Sequence, residues 1–421
     1  MTTATESSRG QGGIWKQSRS FDPAVRLLFL NQLTINLGFY MLMPYLAAHL
    51  ADGLGMAAWS VGLVLGARNL SQQGMFLVGG ALADRLGFKP LIVAGCALRT
   101  VGFGALAFAQ SLPMLIAASL ATGLAGALFN PAVRAYLAAE AGERRVEAFA
   151  LFNTYYQAGI LLGPLVGVAL TGVSFRLTCV VAAVLFAGLT AVQLRHLPVR
   201  HRAEAAREPD PADGVARGQF RTVLTNRVFW LFSLAMTGSY VLSFQVYLAL
   251  PLAVDGTAAT TALFVVSALV ALAGQLRITA WCKARLSRER CLVLGLALMG
   301  AAFLVPAATG RALAGLLLCA AVLAVANAVL YPYEMDTVVA LSEGRWVATH
   351  YGLYNTVCGI GITLGNLGTG ALLDVTGWSA TPWLALCAVG LGCAAAMAAL
   401  ARGGRLAVRQ TADARSPGAT A

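Results

Sequence analysis

Apolar residues run along this chain in blocks of about twenty, parted by short stretches where charges collect. The blocks predict helices near 27–51, 60–82, 90–110, 112–139, 148–171, 176–196, 226–250, 258–280, 290–307, 312–335, 348–373 and 381–401. About 20 helical residues cross a hydrocarbon layer of ~30 Å, and a helix satisfies its own backbone hydrogen bonds in lipid. The ten-residue alternation of a membrane barrel is not seen. The expected fold is therefore an all-α integral membrane protein with twelve crossings and both termini on one side. Residues 1–26 form a polar, basic tail with no cleavable signal pattern, since the first apolar run is too long for one. The stretch 197–225, with three prolines and many charges, is the expected linker. It separates six-helix bundles at 27–196 and 226–401, and 402–421 is expected to be a disordered tail.

An internal repeat supports two halves. Phe152-Asn153-Thr154 recurs as Tyr354-Asn355-Thr356, an offset of 202 residues. The same offset joins Gly159 to Gly361, Gly163 to Gly365, and Tyr45-Leu46-Ala47 to Tyr247-Leu248-Ala249. Six is an even number of crossings, so the halves share one orientation and are related by an axis along the membrane normal.

Composition agrees. Apolar residues make up 58% and charged residues 11%, against about 45–50% and about 25% in soluble domains. Of 30 Lys and Arg, 25 fall in the tails and loops of one side, two (Arg176 and Arg311) on the other, and three (Arg68, Arg99 and Arg134) inside spans. The positive-inside rule places both termini in the cytoplasm of a cell inner membrane. The net charge of +12 is thereby explained without nucleic acid. Most tryptophans fall near span ends, as an interfacial belt requires. Eight scattered cysteines include no Cys-x-x-Cys, so neither zinc nor redox spacing is present.

The sharpest stretch lies between the second and third blocks, Gly80-Ala81-Leu82-Ala83-Asp84-Arg85-Leu86-Gly87-Phe88-Lys89-Pro90-Leu91. It reads as a tight hairpin at a membrane face, with an acid, two bases and glycines for close approach and turning. The eleventh span begins on the same side, near Val347–Gly352, with the positive end of its helix dipole towards Asp84. Arg134, near the inner end of span four, is a second candidate partner. Arg85 and Lys89 are candidates for the same gate or for anchoring the loop to anionic lipid. The pattern G-x-L-A-D-R-x-G-x-K resembles the loop between helices two and three of the major facilitator superfamily. That resemblance implies two rocking bundles whose inner gate the matching acid latches.

In span five, Gly159, Gly163 and Gly167 strip one helix face for a close neighbour, and Pro164 bends the helix. This stretch resembles the antiporter motif of drug:proton exporters, with Val168 where the motif has a further glycine. Span four carries Ser119, not the usual arginine, four residues before Gly123. Arg68 lies ~12 Å from one end of its span and Arg99 ~14 Å from the end of its own. Both are thus expected near the midplane, where a charge faces a cavity or a partner. Further cavity candidates are Asn31, Gln32, Asn36, Gln72, Gln73, Asn130, Tyr155, Tyr156, Gln157, Gln245, Asn327 and Asn355. The acids lie at span ends, so the expected proton carriers are Asp84, Glu334 and Asp336, with Glu334 at an inner end.

No P-loop is present, and Gly102-x-Gly104-x-x-Ala107 lies in an apolar block without a preceding strand. The expectation is a transporter, not an enzyme, without a cofactor and driven by a proton gradient. Its expected partners are a hydrophobic small molecule and the bilayer, with no nucleic acid, and it is expected to be a monomer. A carrier of small organic anions, built on Arg68 and Arg99, is the alternative.

Overall fold

The computed structural model describes residues 14–56, 58–198, 215–254 and 257–403. These are almost wholly helical, and no strand occurs among them. A short α1 (Ile14–Arg19) precedes α2 (Pro23–Tyr40), which starts on a proline whose missing N–H costs a first turn nothing. Then follow α3 (Met43–Ala48), α4 (Ala58–Leu86), α5 (Phe88–Leu106), α6 (Leu112–Ala141), α7 (Arg145–Thr171) and α8 (Phe175–His196). The second half holds α9 (Val215–Thr225), α10 (Arg227–Phe244), α11 (Ala249–Ala253), α12 (Thr257–Arg285), α13 (Arg288–Ala302), α14 (Leu304–Thr309), α15 (Leu313–Leu341), α16 (Val347–Thr376) and α17 (Ala380–Arg402).

Nine helical stretches among the described residues are long and apolar enough to cross a membrane, one of them comprising both α6 and α7. Large apolar side chains such as Leu70, Val173 and Val375 lie exposed on the outside, as a lipid-facing surface requires. Helix starts are chemically marked. The side chains of Ser174, Asn226 and Ser287 each accept from a backbone N–H in the first turn of α8, α10 and α13.

Several expected spans are interrupted. The block 27–51 is α2, α3 and a wide turn over His49–Gly53. The block 226–250 breaks after Phe244, and the block 290–307 breaks at Phe303. A break leaves the last carbonyls of one segment and the first N–H groups of the next to short-range bonds, as in Leu42 N–H to Phe39 O and Gln245 N–H to Leu242 O. The polar stretch expected to be a plain linker contains α9. Residues 1–13, 199–214 and 404–421, which hold most of the expected tails and linker, lie outside the described residues.

Helices α4, α5, α6 and α8 pack together, as do α2 and α7. Helices α12, α13, α15 and α17 form a second group, with α10 against α16. The seam between them is made chiefly by α4 on α16, and by α7 on α12 and α15.

Candidate functional site

The seam is most elaborate where the loops α4–α5, α12–α13 and α15–α16 gather, here called the basic end. Helix α16 has no capping side chain from its own loop, and Trp346 before it sits at φ 52°. Its first N–H groups are met from the other half. Asp84 Oδ1 accepts from Ala348 N–H at 3.1 Å, and Oδ2 accepts from Thr349 N–H and the Thr349 hydroxyl, both at 2.6 Å. This is an N-cap supplied from a residue 264 positions away. Glycines make the approach feasible. A Cβ at Gly80 would run into the Ala348 carbonyl and stand 3.0 Å from Thr349 Cα, and one at Gly352 would stand 3.0 Å from Leu77 Cα. Gly87 turns the chain after α4 at φ +91°.

Gln219 of α9, in the stretch expected to be a polar linker, completes the latch. It is 1% exposed. Its Nε2 donates to Thr349 Oγ1 at 2.6 Å and to Ala81 O at 3.3 Å, and its Oε1 accepts from Arg85 Nε at 2.7 Å. Lys89 donates to Leu194 O at 2.9 Å, closing off the end of α8. Neither base needs a lipid headgroup to be placed.

Three further ties cross the seam. Asp336 accepts from Arg145 at 2.8 Å, with Arg288 at 3.6 Å. Glu147 pairs with Lys283 at 2.5 Å and with Arg144 at 2.9 Å. Asn153 donates to Gln275 Oε1 at 2.7 Å, and Gln275 donates on to Ala328 O at 3.1 Å. The basic end is therefore closed. Asp336 serves as part of this closure.

Behind it lies a cavity of about 190 Å³ between the halves, with walls from α6, α7, α10, α12 and α15. Arg134, Tyr156, Gln157, Tyr240, Tyr247, Asn327, Tyr331 and Glu334 are among its lining residues. Glu334 is 2% exposed and accepts from the Tyr354 hydroxyl at 2.6 Å. Arg134 stands within electrostatic reach of the Tyr331 hydroxyl and of Glu334. Further from the basic end, Tyr40 lies within electrostatic reach of Tyr156 in its own half and of Tyr247 in the other. The site thus offers one carboxyl and one guanidinium in a chamber with several aromatic walls.

Three expectations need correction. Arg134, expected beside Asp84, points into the cavity, because α16 supplies the donors at Asp84. Glu334, expected at a span end, is seven residues from the end of α15, about 10 Å in, and buried.

The third correction concerns the eight residues expected to form the cavity. None of Asn31, Asn36, Arg68, Gln72, Arg99, Tyr155, Gln245 and Asn355 is among the lining residues. Asn36 bonds back to Gln32 O at 2.7 Å, and Tyr155 stacks on Phe29 at 5.6 Å. Gln245 donates to Val241 O at 2.9 Å and to Asn366 Oδ1 at 3.3 Å. Asn31 and Asn355 are buried elsewhere in the helix packing. Arg68 and Arg99 face the interior of the first half, against Phe39 and Phe186. Of the wider candidate set, Tyr156, Gln157 and Asn327 do line the cavity.

The glycine stripe of α7 packs on α2 within its own half. A Cβ at Gly159 would stand 2.6 Å from Asn36 Cβ, and one at Gly163 2.6 Å from Tyr40 Cβ, while Gly167 faces Met41 and Tyr45. The carbonyl of Pro164 is met by the Tyr45 hydroxyl at 3.0 Å.

Comparison with known proteins agrees with this architecture. The Major Facilitator Superfamily profile matches residues 28–290. A protein of Mycobacterium tuberculosis H37Rv described as an uncharacterized MFS-type transporter is 54% identical over 371 residues, 85% of this chain and 87% of its own. The multidrug resistance protein MdtH of Klebsiella pneumoniae is 32% identical over 372 residues, covering 86% and 90% of the two chains. The crystal structure of the human organic anion transporter MFSD10 shares the fold with a TM-score of 0.64 at 18% identity, over 89% of this chain and 98% of that one. A twin-bundle helical membrane protein with this hairpin, this seam and these relatives is a multi-pass member of the Major Facilitator Superfamily.

Proposed function

We propose that this protein exports hydrophobic small molecules in exchange for protons, by alternating access of the central cavity. The basic end faces the cytoplasm in this reading, as the Lys and Arg bias requires, and both termini lie there. The chain works as a monomer, with the proton gradient as its driving force. Glu334 carries the proton. The observation that supports this is a single buried carboxyl lining a chamber between the halves, with Arg134 and tyrosine hydroxyls around it.

Ionised, Glu334 balances Arg134. Protonated, it leaves Arg134 uncompensated and weakens the ties that hold α15 to α6. Binding a lipophilic molecule against Tyr156, Tyr240 and Tyr331 competes with that protonated arrangement. Proton and cargo then occupy the chamber in turn. Asp84 takes the other task. Its three accepted bonds are ones that an ionised carboxylate satisfies in full, which suits a latch.

The similarity to MdtH, a multidrug resistance protein, favours the same reading. An organic-anion carrier built on Arg68 and Arg99 lacks support, since neither side chain borders the chamber.

The test is transport in proteoliposomes. Inside-out loading with a fluorescent lipophilic cation under an imposed pH gradient should occur with wild type and collapse in Glu334→Gln. Uptake by Glu334→Gln that still follows the pH gradient would remove Glu334 from the coupling.

A further inference from the structure

One tie across the seam has a counterpart that is not made. Asn153 of α7 donates to Gln275 of α12 at 2.7 Å, and Gln275 donates on to Thr279 Oγ1 and Ala328 O, both at 3.1 Å. The offset of 202 residues that relates the halves carries Asn153 to Asn355 and Gln73 to Gln275. The two-fold axis thereby maps the contact of α7 on α12 onto that of α16 on α4. Asn355 is 8% exposed, and among the described residues its Nδ2 is buried without an acceptor. An unpaired amide inside a packed seam destabilises the arrangement that leaves it so.

The missing acceptor is close by. The Thr356 hydroxyl donates to Gln73 O at 3.4 Å, so the Gln73 backbone stands level with the turn of α16 that holds Asn355. Its side chain reaches one turn on and lies against Gly359. A Cβ there would stand 2.6 Å from Gln73 Cδ, 2.7 Å from Nε2 and 2.8 Å from Oε1. The glycine leaves the space in which that amide rests. Asn355 and Gly359 are four residues apart on one face of α16, about 6 Å along its axis. A glutamine side chain covers that distance by changing rotamer.

We propose that Gln73 is a further tie across the seam with two seats on α16: the one over Gly359 seen here, and one at Asn355, where its Oε1 accepts from Asn355 Nδ2. The second seat is the two-fold counterpart of the Asn153–Gln275 bond. Since α4 and α16 belong to opposite halves, it exists only while the seam is shut. Moving the amide from Gly359 to Asn355 pairs the orphaned group and prolongs closure of the basic end.

The test follows single molecules of the full chain in detergent by fluorescence transfer between dyes attached at Leu86 and Ala284, which lie exposed on opposite halves. Asn355→Leu should shorten the closed dwell about fivefold, the worth of one neutral hydrogen bond. Gln73→Leu should shorten it by a similar factor, and the double substitution should do no more than either alone. Gly359→Ala crowds the first seat and should lengthen the closed dwell, but not when Asn355 is also replaced by Leu. The Gln73 and Gly359 variants serve if Asn355→Leu does not fold. An amide that stays orphaned predicts the opposite sign, because replacing it by an apolar side chain then leaves the closed dwell equal or longer. That result, additive effects of the two leucines, or a closed dwell not lengthened by Gly359→Ala would overturn the proposal. No proton gradient or exported compound enters these measurements, so their failure would leave the export reading intact, and the reverse holds too.

Discussion

Replacing Asp84 by Asn probes the latch directly. The carboxylate accepts from two backbone N–H groups at the start of α16 and from the Thr349 hydroxyl. Hydrogen bonds to a charged group contribute about 1.5–3 kcal/mol each. Asn keeps one acceptor but brings an NH₂ against N–H donors, and water takes over part of what is lost. The closed basic end should lose about 2–4 kcal/mol, a shift of about 30- to 700-fold in the equilibrium between closed and open. Spin labels on Leu86, at the end of α4, and Ala284, near the end of α12, lie exposed on opposite halves. Pulsed electron resonance should give one short distance in wild type and a dominant longer one in Asp84→Asn. Export should fall with membrane expression unchanged. An identical distance distribution in the two proteins would refute the view that this carboxylate holds the halves together.

Other consequences follow from the same seam. Gln219→Ala removes three bonds around the latch and should open the basic end in the same assay, though less than Asp84→Asn, since the carboxylate keeps its own contacts. Additivity of the two substitutions in a double-mutant cycle would contradict a shared latch. Gly80→Val pushes a branched side chain into the Ala348 carbonyl, so the label distance should stay long and export should be lost. Normal export would mean the halves do not need this approach. Asp336→Asn breaks the part-exposed pair with Arg145. Its cost should be about 1 kcal/mol or less and should shrink in high salt, read as label distances against ionic strength.

Much of this was legible in the chain. The hairpin around Asp84 and the start of α16 lay at the same face by counting spans, and the dipole at that start told where a carboxylate would rest. The interior was harder. The spans are apolar almost all the way round, so the face that a polar residue presents cannot be taken from periodicity. Arg68 and Arg99 lie well inside α4 and α5, yet their rotation about those helices turns them towards Phe39 and Phe186 of the first half and away from the cavity. Glu334 lies deeper than its apolar block suggests because α15 runs on to Leu341, past the block's end near 335. Gln219 sat in a stretch whose prolines and charges hid the eleven-residue helix that follows them. What positions these groups is packing between segments far apart in the chain, which no local pattern records.

The most direct measurement of the central claim counts protons on purified protein in weakly buffered detergent when a lipophilic cation such as tetraphenylphosphonium is added. Wild type should release about one proton per cation bound, and Glu334→Gln should bind the cation without release. Binding to wild type with no proton released, or equal release by Glu334→Gln, would contradict an exchange of cargo and proton at this carboxyl.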